Sequence, residues 1–248
     1  MSTLSGSPPE PGIHVLITAA GGGTRMGSGV NKLRVSIGGI PVIIRTLRTF
    51  LALPSVRRIL LVVPSAEREA FRSLCAEYGL ADSTDLAGGG DTRQESVMNG
   101  LEALAAQAGP DDIVLIQDGA RCFTDGPTID RCIGEALRSG ACCAAVRLKD
   151  TIKEADPQGL VTGTPDRARF WLVQTPQAFR FGLVLSAYRS AHEKGVTGTD
   201  DASLVEAAGH PVRLVEGSYR NIKITTPDDL LLGETLARQL RAEKGSDS

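Results

Sequence analysis

Histidine is scarce in this chain: three in 248 residues, scattered at His14, His192 and His210. The five cysteines, Cys75, Cys122, Cys132, Cys142 and Cys143, contain no C-x-x-C pair. A zinc site needs such residues at short spacing, so none is expected. An odd set of thiols without a pairing pattern reads as the reduced cysteines of a cytoplasmic protein. Cys122 lies beside a candidate site residue, but chance placement explains it better than catalysis. A net charge of −2 leaves no electrostatic footprint for nucleic acid or an anionic membrane surface. Any anion must therefore be handled by locally placed cations. No apolar run approaches the ~20 residues of a membrane span. Residues 1–12 are Ser/Pro/Gly-rich, without a basic segment or an apolar core, and read as a disordered tail, not a signal peptide. No internal repeat is present.

What the chain does have begins with an apolar run, Ile13-His14-Val15-Leu16-Ile17, leading into Ala19-Ala20-Gly21-Gly22-Gly23-Thr24-Arg25-Met26-Gly27, with Lys32 beyond. A buried strand ending in a glycine-rich turn is a device for holding a polyphosphate. Glycines let backbone N–H groups approach phosphate oxygens, and Arg25 and Lys32 supply the neutralising charge. Two better-known phosphate loops are excluded by spelling. The dinucleotide fingerprint needs glycine at its sixth position, where Met26 stands. A P-loop needs Gly-Lys-Ser/Thr, and Gly27-Ser28-Gly29 does not supply it.

Short apolar runs alternate with amphipathic stretches. Strands are predicted at 59–63, 113–116 and 141–146. Helices are predicted from Pro41 through Leu51, after an N-cap at Ser65, from about Arg93 to Ala106, after Pro127-Thr128, and from Pro227 to about Leu240. This rhythm predicts an α/β fold, a Rossmann-like, mostly parallel sheet with helices on both faces, in one domain over 13–241. At about 149–172 the rhythm breaks. Thr151–Glu154 and Gly159–Thr162 alternate like exposed strands around the turn signal Asp156-Pro157-Gln158-Gly159, which predicts a projecting β-hairpin arm. Exposed hairpin edges are commonly covered by a partner subunit, so a homodimer is expected. Residues 242–248 read as a second disordered tail.

Two further clusters could carry chemistry. Asp118, at the end of the 113–116 strand, stands where open α/β sheets bind ligands and could ligate a divalent cation, with Arg121 spaced to reach a phosphate. Read alone, Asp118 could equally cap the next segment. Gly88-Gly89-Gly90-Asp91 feeds a helix, and its backbone, with Asp91 and Ser96, could read a base edge. Alternatively Asp91 or Thr92 is simply the helix cap. Thr199-Asp200-Asp201 could likewise be no more than a helix N-terminus.

Taken together, from Ala19 to Asp229, the segments resemble the 2-C-methyl-D-erythritol 4-phosphate cytidylyltransferases. The resemblance is carried by the Gly21–Lys32 loop, Gly89-Gly90-Asp91-x-Arg93-x-x-Ser96-Val97, Asp118-x-Ala120-Arg121, Asp150-Thr151-x-Lys153, Thr175-Pro176-Gln177, Thr199-Asp200-x-Ala202-Ser203 and Asn221-Ile222-Lys223. It implies the nucleotidyltransferase fold, CTP and a polyol phosphate as substrates, and a divalent metal, usually Mg²⁺. It also implies roles. Arg25 and Lys32 are catalytic cations on the CTP phosphates. Ala19, Ala20, Gly21, Gly23, Thr24, Gly89, Gly90, Asp91 and Ser96 line the CTP site. Asp118 holds the metal near the acceptor. Thr151, Arg167, Thr199 and Lys223 bind the acceptor, with Arg121 in support, and Arg167 on the arm acts across a dimer interface.

The family often has His-Asp-Ala-Ala-Arg-Pro where this chain has Gln117-Asp118-Gly119-Ala120-Arg121-Cys122, and Gln is frequent where Leu33 follows Lys32. Gly119 and Cys122 are expected to loosen this loop. Ribitol 5-phosphate cytidylyltransferases share the phosphate loop and a stretch like Ile222-Lys223-Ile224-Thr225-Thr226. Thr199–Ser203 and Ala120-Arg121 favour the methylerythritol enzymes. A non-catalytic nucleotide-binding regulator could dispense with Arg25, Lys32 or Asp118, yet all three are present. A glycosyltransferase would show D-x-D, which Asp118-Gly119-Ala120 does not provide.

Overall fold

The computed structural model describes residues 11–21, 31–56 and 58–246. In chain order the first half contains β1 (Ile13–Thr18), β2 (Ser36–Ile37), β3 (Ile40–Pro41), α1 (Val42–Leu51), β4 (Ile59–Val63), α2 (Arg68–Glu77), β5 (Thr84–Gly88), α3 (Arg93–Leu104) and β6 (Ile113–Asp118). The second half contains α4 (Gly126–Ser139), β7 (Ala141–Arg147), β8 (Glu154–Ala155), β9 (Val161–Gly163), β10 (Trp171–Arg180), α5 (Phe181–Lys194), α6 (Asp201–Ala207), β11 (Arg213–Glu216) and α7 (Pro227–Ser246). Seven strands form the main sheet in the order β11-β7-β10-β6-β1-β4-β5. Every neighbouring pair is parallel except those of β10, which runs against β6 and β7.

Strands β1, β4, β6 and β7 are near-continuous apolar runs because both sheet faces are covered there, whereas β5, β10 and β11 carry polar or exposed residues. Val15, Ile17, Ile59, Leu61, Ile113 and Leu115 point to one side and pack with Leu47 and Phe50 of α1, Phe71 of α2, Ile129 of α4 and Leu236 of α7. Leu16, Leu60, Val62, Val114 and Ile116 point to the other and meet Leu101 of α3, Val184 and Tyr188 of α5 and Val205 of α6. Each such side chain, fully withdrawn from water, contributes about 1.5–3 kcal/mol before entropy is counted. Gly100 brings α3 unusually close. A Cβ there would stand 2.5 Å from Leu16 Cδ1 and 2.9 Å from Val62 Cγ2. That approach, one turn after Ser96, seats the start of α3 against the strand ends.

Several boundaries differ from the sequence expectation for local reasons. Ser65 does not cap α2. Residues Ser65–Glu67 form a 3-10 turn in which Glu67 N–H donates to Pro64 O at 2.9 Å, and the helix follows. The cap of α4 is Asp125, which accepts from Thr128 N–H at 2.7 Å and starts the helix at Gly126, before Pro127. The arm strands are shorter than predicted and both are shifted toward the C-terminus, at Glu154–Ala155 and Val161–Gly163. Asp156 explains this. Its Oδ1 accepts from Gln158 and Leu160 N–H, and Gly159 takes the left-handed conformation at φ +86°. The turn thus takes Gly159 and Leu160 for itself, and the second strand begins only at Val161, while Lys153 Nζ donates to Thr164 Oγ1 at 2.7 Å. The last helix is longer than predicted and runs on to Ser246. All five cysteines are free and buried. Among the described residues no helix is long and apolar enough to cross a membrane.

Candidate active site

Strand order locates the site. From β1 the chain builds outward through β4 and β5, then returns to place β6 on the other side of β1. Ligands bind where such a sheet reverses, outside the carboxyl ends of its strands. Here Thr18 of β1 pairs with Asp118 of β6, and a cavity of about 310 Å³ opens beyond them. Its floor is Thr18–Gly21 and Asp118–Ala120, its walls are Lys32 and Leu33, Arg93 and Ser96, and Lys223 and Thr225. Among the described residues the wall presents three cations and one carboxylate. A chain with a slightly negative total charge thus carries a locally positive pocket.

Asp118 is the centre of this charge arrangement. Lys223 Nζ lies 2.8 Å from its Oδ2, Arg93 Nε 3.3 Å from its Oδ1, and Arg121 Nε 3.6 Å from Oδ2. Its backbone N–H donates to Thr175 Oγ1 at 3.0 Å. Burial alone would push this carboxyl up, but the charges of Arg93, Lys223 and Arg121 outweigh it and hold Asp118 down at about 2. The group is an anion at any physiological pH. No helix begins beside it, since α4 starts only at Gly126, so Asp118 does not serve as a cap.

A layer of buried polar groups fixes the loop that follows. Gln117 Nε2 donates to Arg121 O and to Thr124 Oγ1, both at 3.0 Å. Thr124 Oγ1 donates to Asn221 Oδ1 at 2.9 Å, and Asn221 Nδ2 donates to Thr175 O at 2.8 Å. Arg121 in turn donates to Asn221 O at 2.7 Å, and Ile224 N–H donates to Ala120 O at 2.9 Å. Lys223 is thereby tied to the Asp118 loop from a segment about a hundred residues away. Gly119 does not loosen this loop, contrary to the sequence expectation. Its N–H donates to Thr18 O at 2.9 Å, and its carbonyl accepts from Thr46 Oγ1 at 2.9 Å. A Cβ there would stand 2.9 Å from Thr18 O and 3.0 Å from Ile43 Cδ1. The absent side chain is what allows the close approach. Cys122 is buried, and burial pushes its thiol up to about 12, so it is no thiolate nucleophile at neutral pH.

The second glycine turn packs against Ala20, just beyond β1. A Cβ on Gly89 would sit 2.4 Å from Ala20 Cβ, and Gly90 N–H donates to Ser96 Oγ at 3.1 Å. Ala19, Ala20, Gly21, Lys32, Ser96, Asp118 and Lys223 meet in the cavity, with Gly89 and Gly90 directly behind. Asp91 is exposed and does not line the cavity, and Thr92 caps α3 through a reciprocal box with Glu95. Arg121 lies underneath, against Asp118. Thr151, Arg167 and Thr199 are exposed and lie outside the cavity of this single chain; Arg167 donates to Lys149 O on the arm. Gly23, Thr24 and Arg25 fall outside the described residues.

Sequence reasoning gave Arg93 no role, although it stands in one of the matching segments; its place in the first turn of α3, behind the glycine turn, was the available signal. Asp201 and Tyr188, which hold it, were also missed. Asp201 follows the cap residue Asp200, where a first-turn carboxylate usually reads as ordinary helix electrostatics.

Among the described residues no group of three His, Cys, Asp or Glu side chains could enclose a metal. Magnesium usually takes one or two protein carboxylates and completes its shell with water and substrate phosphates. A permanently ionised Asp118 on the cavity wall fits that donor set and no all-protein cage.

Known proteins resemble the chain along nearly its whole length. A protein from Geobacillus kaustophilus described as 2-C-methyl-D-erythritol 4-phosphate cytidylyltransferase is 48% identical over 93% of this chain and 99% of its own. One of the same description from Bacillus velezensis is 46% identical over 94% and 97%. The crystal structure of 4-diphosphocytidyl-2C-methyl-D-erythritol synthase from Anaerococcus prevotii superposes with a TM-score of 0.81 at 30% identity, covering 92% of this chain and 96% of that one. The cytidylyltransferase from Thermus thermophilus gives 0.74 at 35% identity, covering 92% and 99%. The family profile described as 2-C-methyl-D-erythritol 4-phosphate cytidylyltransferase matches residues 13–239, every strand of the sheet included, and the chain belongs to that family.

Proposed function

We propose that this chain is a nucleotidyltransferase that condenses CTP with 2-C-methyl-D-erythritol 4-phosphate, giving the CDP-linked methylerythritol and pyrophosphate in non-mevalonate isoprenoid precursor synthesis. The observation that carries this reading is the pocket itself: Lys32, Arg93 and Lys223 converge around one ionised carboxylate at the sheet's switch point. A phosphate oxygen of the acceptor attacks the α-phosphorus in line. One P–O bond forms while the bond to the bridging oxygen breaks, and pyrophosphate leaves with that electron pair. No covalent enzyme intermediate is needed.

The obstacle is repulsion. Two unit charges ~4 Å apart cost about 4 kcal/mol at an effective dielectric near 20, and several such pairs meet here. Arg25 and Lys32 offset the charge on the triphosphate and on the pentacovalent phosphorus. The cytosine is read by backbone groups at Ala19, Ala20 and Gly89–Asp91 with Ser96; a Cβ on Gly89 would stand 2.4 Å from Ala20 Cβ, so these two segments lie against each other. Asp118 would serve as a protein ligand to Mg²⁺, which would supply further charge neutralisation for the triphosphate. Lys223, Thr199, Thr151 and Arg121 serve the acceptor phosphate and polyol.

Arg167 completes the acceptor site from the partner subunit of a homodimer. Its exposure on an arm that also shows Leu160, Val161 and Phe170 to solvent supports that arrangement. Five free, buried thiols suit a reducing cytoplasm. The deciding assay is pyrophosphate release by the purified full chain, supplied with CTP, Mg²⁺ and either methylerythritol 4-phosphate or ribitol 5-phosphate. Turnover with the first and little with the second is expected. Preference for ribitol phosphate, or none with either, would overturn the assignment.

A further inference from the structure

Asp201 has the lowest exposure of any carboxylate among the described residues, 0%, and the reaction above makes no direct use of it. Its two oxygens accept from Arg93 Nη1 and Nη2, each at 2.8 Å, and Tyr188 donates to its Oδ1 at 2.5 Å. Arg93 then presents its remaining nitrogen, Nε, to Asp118 Oδ1 at 3.3 Å. The result is a line from the core to the cavity: Tyr188 on α5, Asp201 on α6, Arg93 on α3, Asp118 on β6.

The Asp201 end of this line is held firmly. Asp200 caps α6, Ala202 N–H donates to Gln177 Oε1 at 2.8 Å, and Gln177 Nε2 donates to Asp200 Oδ2 at 2.8 Å. Gln94 bonds both Val196 O and Gly198 N–H, which ties the segment before α6 to the first turn of α3. An ion pair of this kind is a costly way to fill a core, because apolar side chains of similar volume are commonly as stabilising or more so. What it provides that an apolar pair cannot is direction. With both terminal nitrogens committed to Asp201, the guanidinium can turn only one edge to Asp118. Asp118 is thus gripped on Oδ1 by Arg93 and on Oδ2 by Lys223.

We propose that Asp201, backed by Tyr188, is a positioning residue that sets the orientation of the Asp118 carboxylate through Arg93. The inference rests on the cytidylyltransferase reading for its effect on turnover, but its geometry can be tested separately.

The test is a double-mutant cycle on the full chain, reading pyrophosphate release from CTP and methylerythritol 4-phosphate. Asp201→Asn is expected to lower kcat about 10- to 100-fold, the usual cost of losing a group that orients a metal-site ligand, with KM for CTP nearly unchanged. In an Arg93→Ala background the same substitution should cost nothing further, because the strut is already cut. A generally structural Asp201 would instead cost as much in either background, and that result would overturn the proposal, as would wild-type kcat in Asp201→Asn.

Should Asp201→Asn fail to fold by circular dichroism, Tyr188→Phe replaces it in the same cycle, with about a threefold loss expected in the native background and none beside Arg93→Ala. A nuclear magnetic resonance measurement needs no turnover. The Arg93 Nε–H of arginine-labelled wild-type chain should exchange slowly with solvent, and quickly in whichever of these variants folds. Fast exchange in the wild type would sink the strut whatever the reaction. An inactive wild type with a slow Nε–H would sink the reaction and leave the strut standing.

Discussion

The pocket and the arm both concentrate cations, and they hold them in opposite ways. In the pocket, Arg93 and Arg121 are aimed by buried partners and Lys223 by Asp118, at 2.8 to 3.6 Å. On the arm and the strand ends beside it, the cations rest on rings and carbonyls. Arg147 lies 3.9 Å from the Trp171 ring centroid and donates to Ala168 O, Lys149 lies 3.4 Å from the Tyr219 ring, and Arg167 donates to Lys149 O. Carboxylate partners fix direction at the cost of desolvation, whereas aromatic faces and carbonyls park a charge without fully spending it. The first arrangement suits groups that must already be in place when charge develops on phosphorus. The second suits groups that engage their partner only when it arrives, as proposed for Arg167.

The largest effect should come from breaking the pocket. Lys32→Ala is expected to lower kcat by about three orders of magnitude or more, the scale on which a cation at a transferring phosphoryl group acts. CTP affinity, measured by calorimetry, should fall far less. Unchanged turnover would mean that the pocket binds nucleotide without reacting it.

On the arm, Arg167→Ala should cost about 10- to 100-fold in kcat/KM for the acceptor, the worth of one charge-assisted hydrogen bond to phosphate. The contrast can then be sharpened by mixing this variant with Lys32→Ala. If Arg167 serves the neighbouring subunit, mixed dimers rebuild one intact site, and statistical exchange returns about a quarter of wild-type turnover. If both residues belong to the same subunit's site, mixing returns nothing.

This division also explains what the sequence revealed. Strands β1, β4, β6 and β7 were legible because each is an apolar run bounded by turn residues, and two-sided burial leaves little alternative, whereas β5, β10 and β11 carry polar or exposed residues and went unpredicted. Asp118 and Lys223 were legible because strand ends and short motifs carry them into the pocket. The arm was legible as a break in rhythm, but its strand limits were not, since they depend on how Asp156 closes its own turn. The tightness of the Gly119 loop was read the wrong way round. A glycine looks permissive until the neighbour that occupies its missing side chain is seen, here Thr18 O. The partners of Arg93 were invisible for a related reason: Tyr188 and Asp201 sit in unremarkable helical positions and acquire meaning only when α5, α6 and α3 are packed together.

A smaller effect, on stability, follows from the charge on Asp118. Its ordinary value is 3.8 and its folded value about 2, so the unfolded chain takes up the proton first as pH falls. The stabilisation is therefore complete above about pH 4, shrinks below it, and is gone near pH 2. At about 1.4 kcal/mol per tenfold change in proton affinity it amounts to roughly 2 kcal/mol. Urea midpoints of the wild type and Asp118→Asn should accordingly differ more at pH 7 than at pH 2.5. A constant gap would mean that Asp118 is not held as an anion.

The smallest effect belongs to a surface pair of better geometry. Arg58 reaches Asp85 with Nη2 at 2.5 Å and Nε at 2.8 Å, closer than any cation comes to Asp118, yet both side chains are about half exposed. Water and salt screen such a pair, and ordering two long side chains offsets most of what remains. Arg58→Ala is expected to leave pyrophosphate release at the wild-type rate and to shift the thermal midpoint by no more than replicate scatter. A clear drop in that midpoint, disappearing in molar salt, would show that short distance counts for more than burial in this fold, and would remove the reason for setting the pocket apart from the surface.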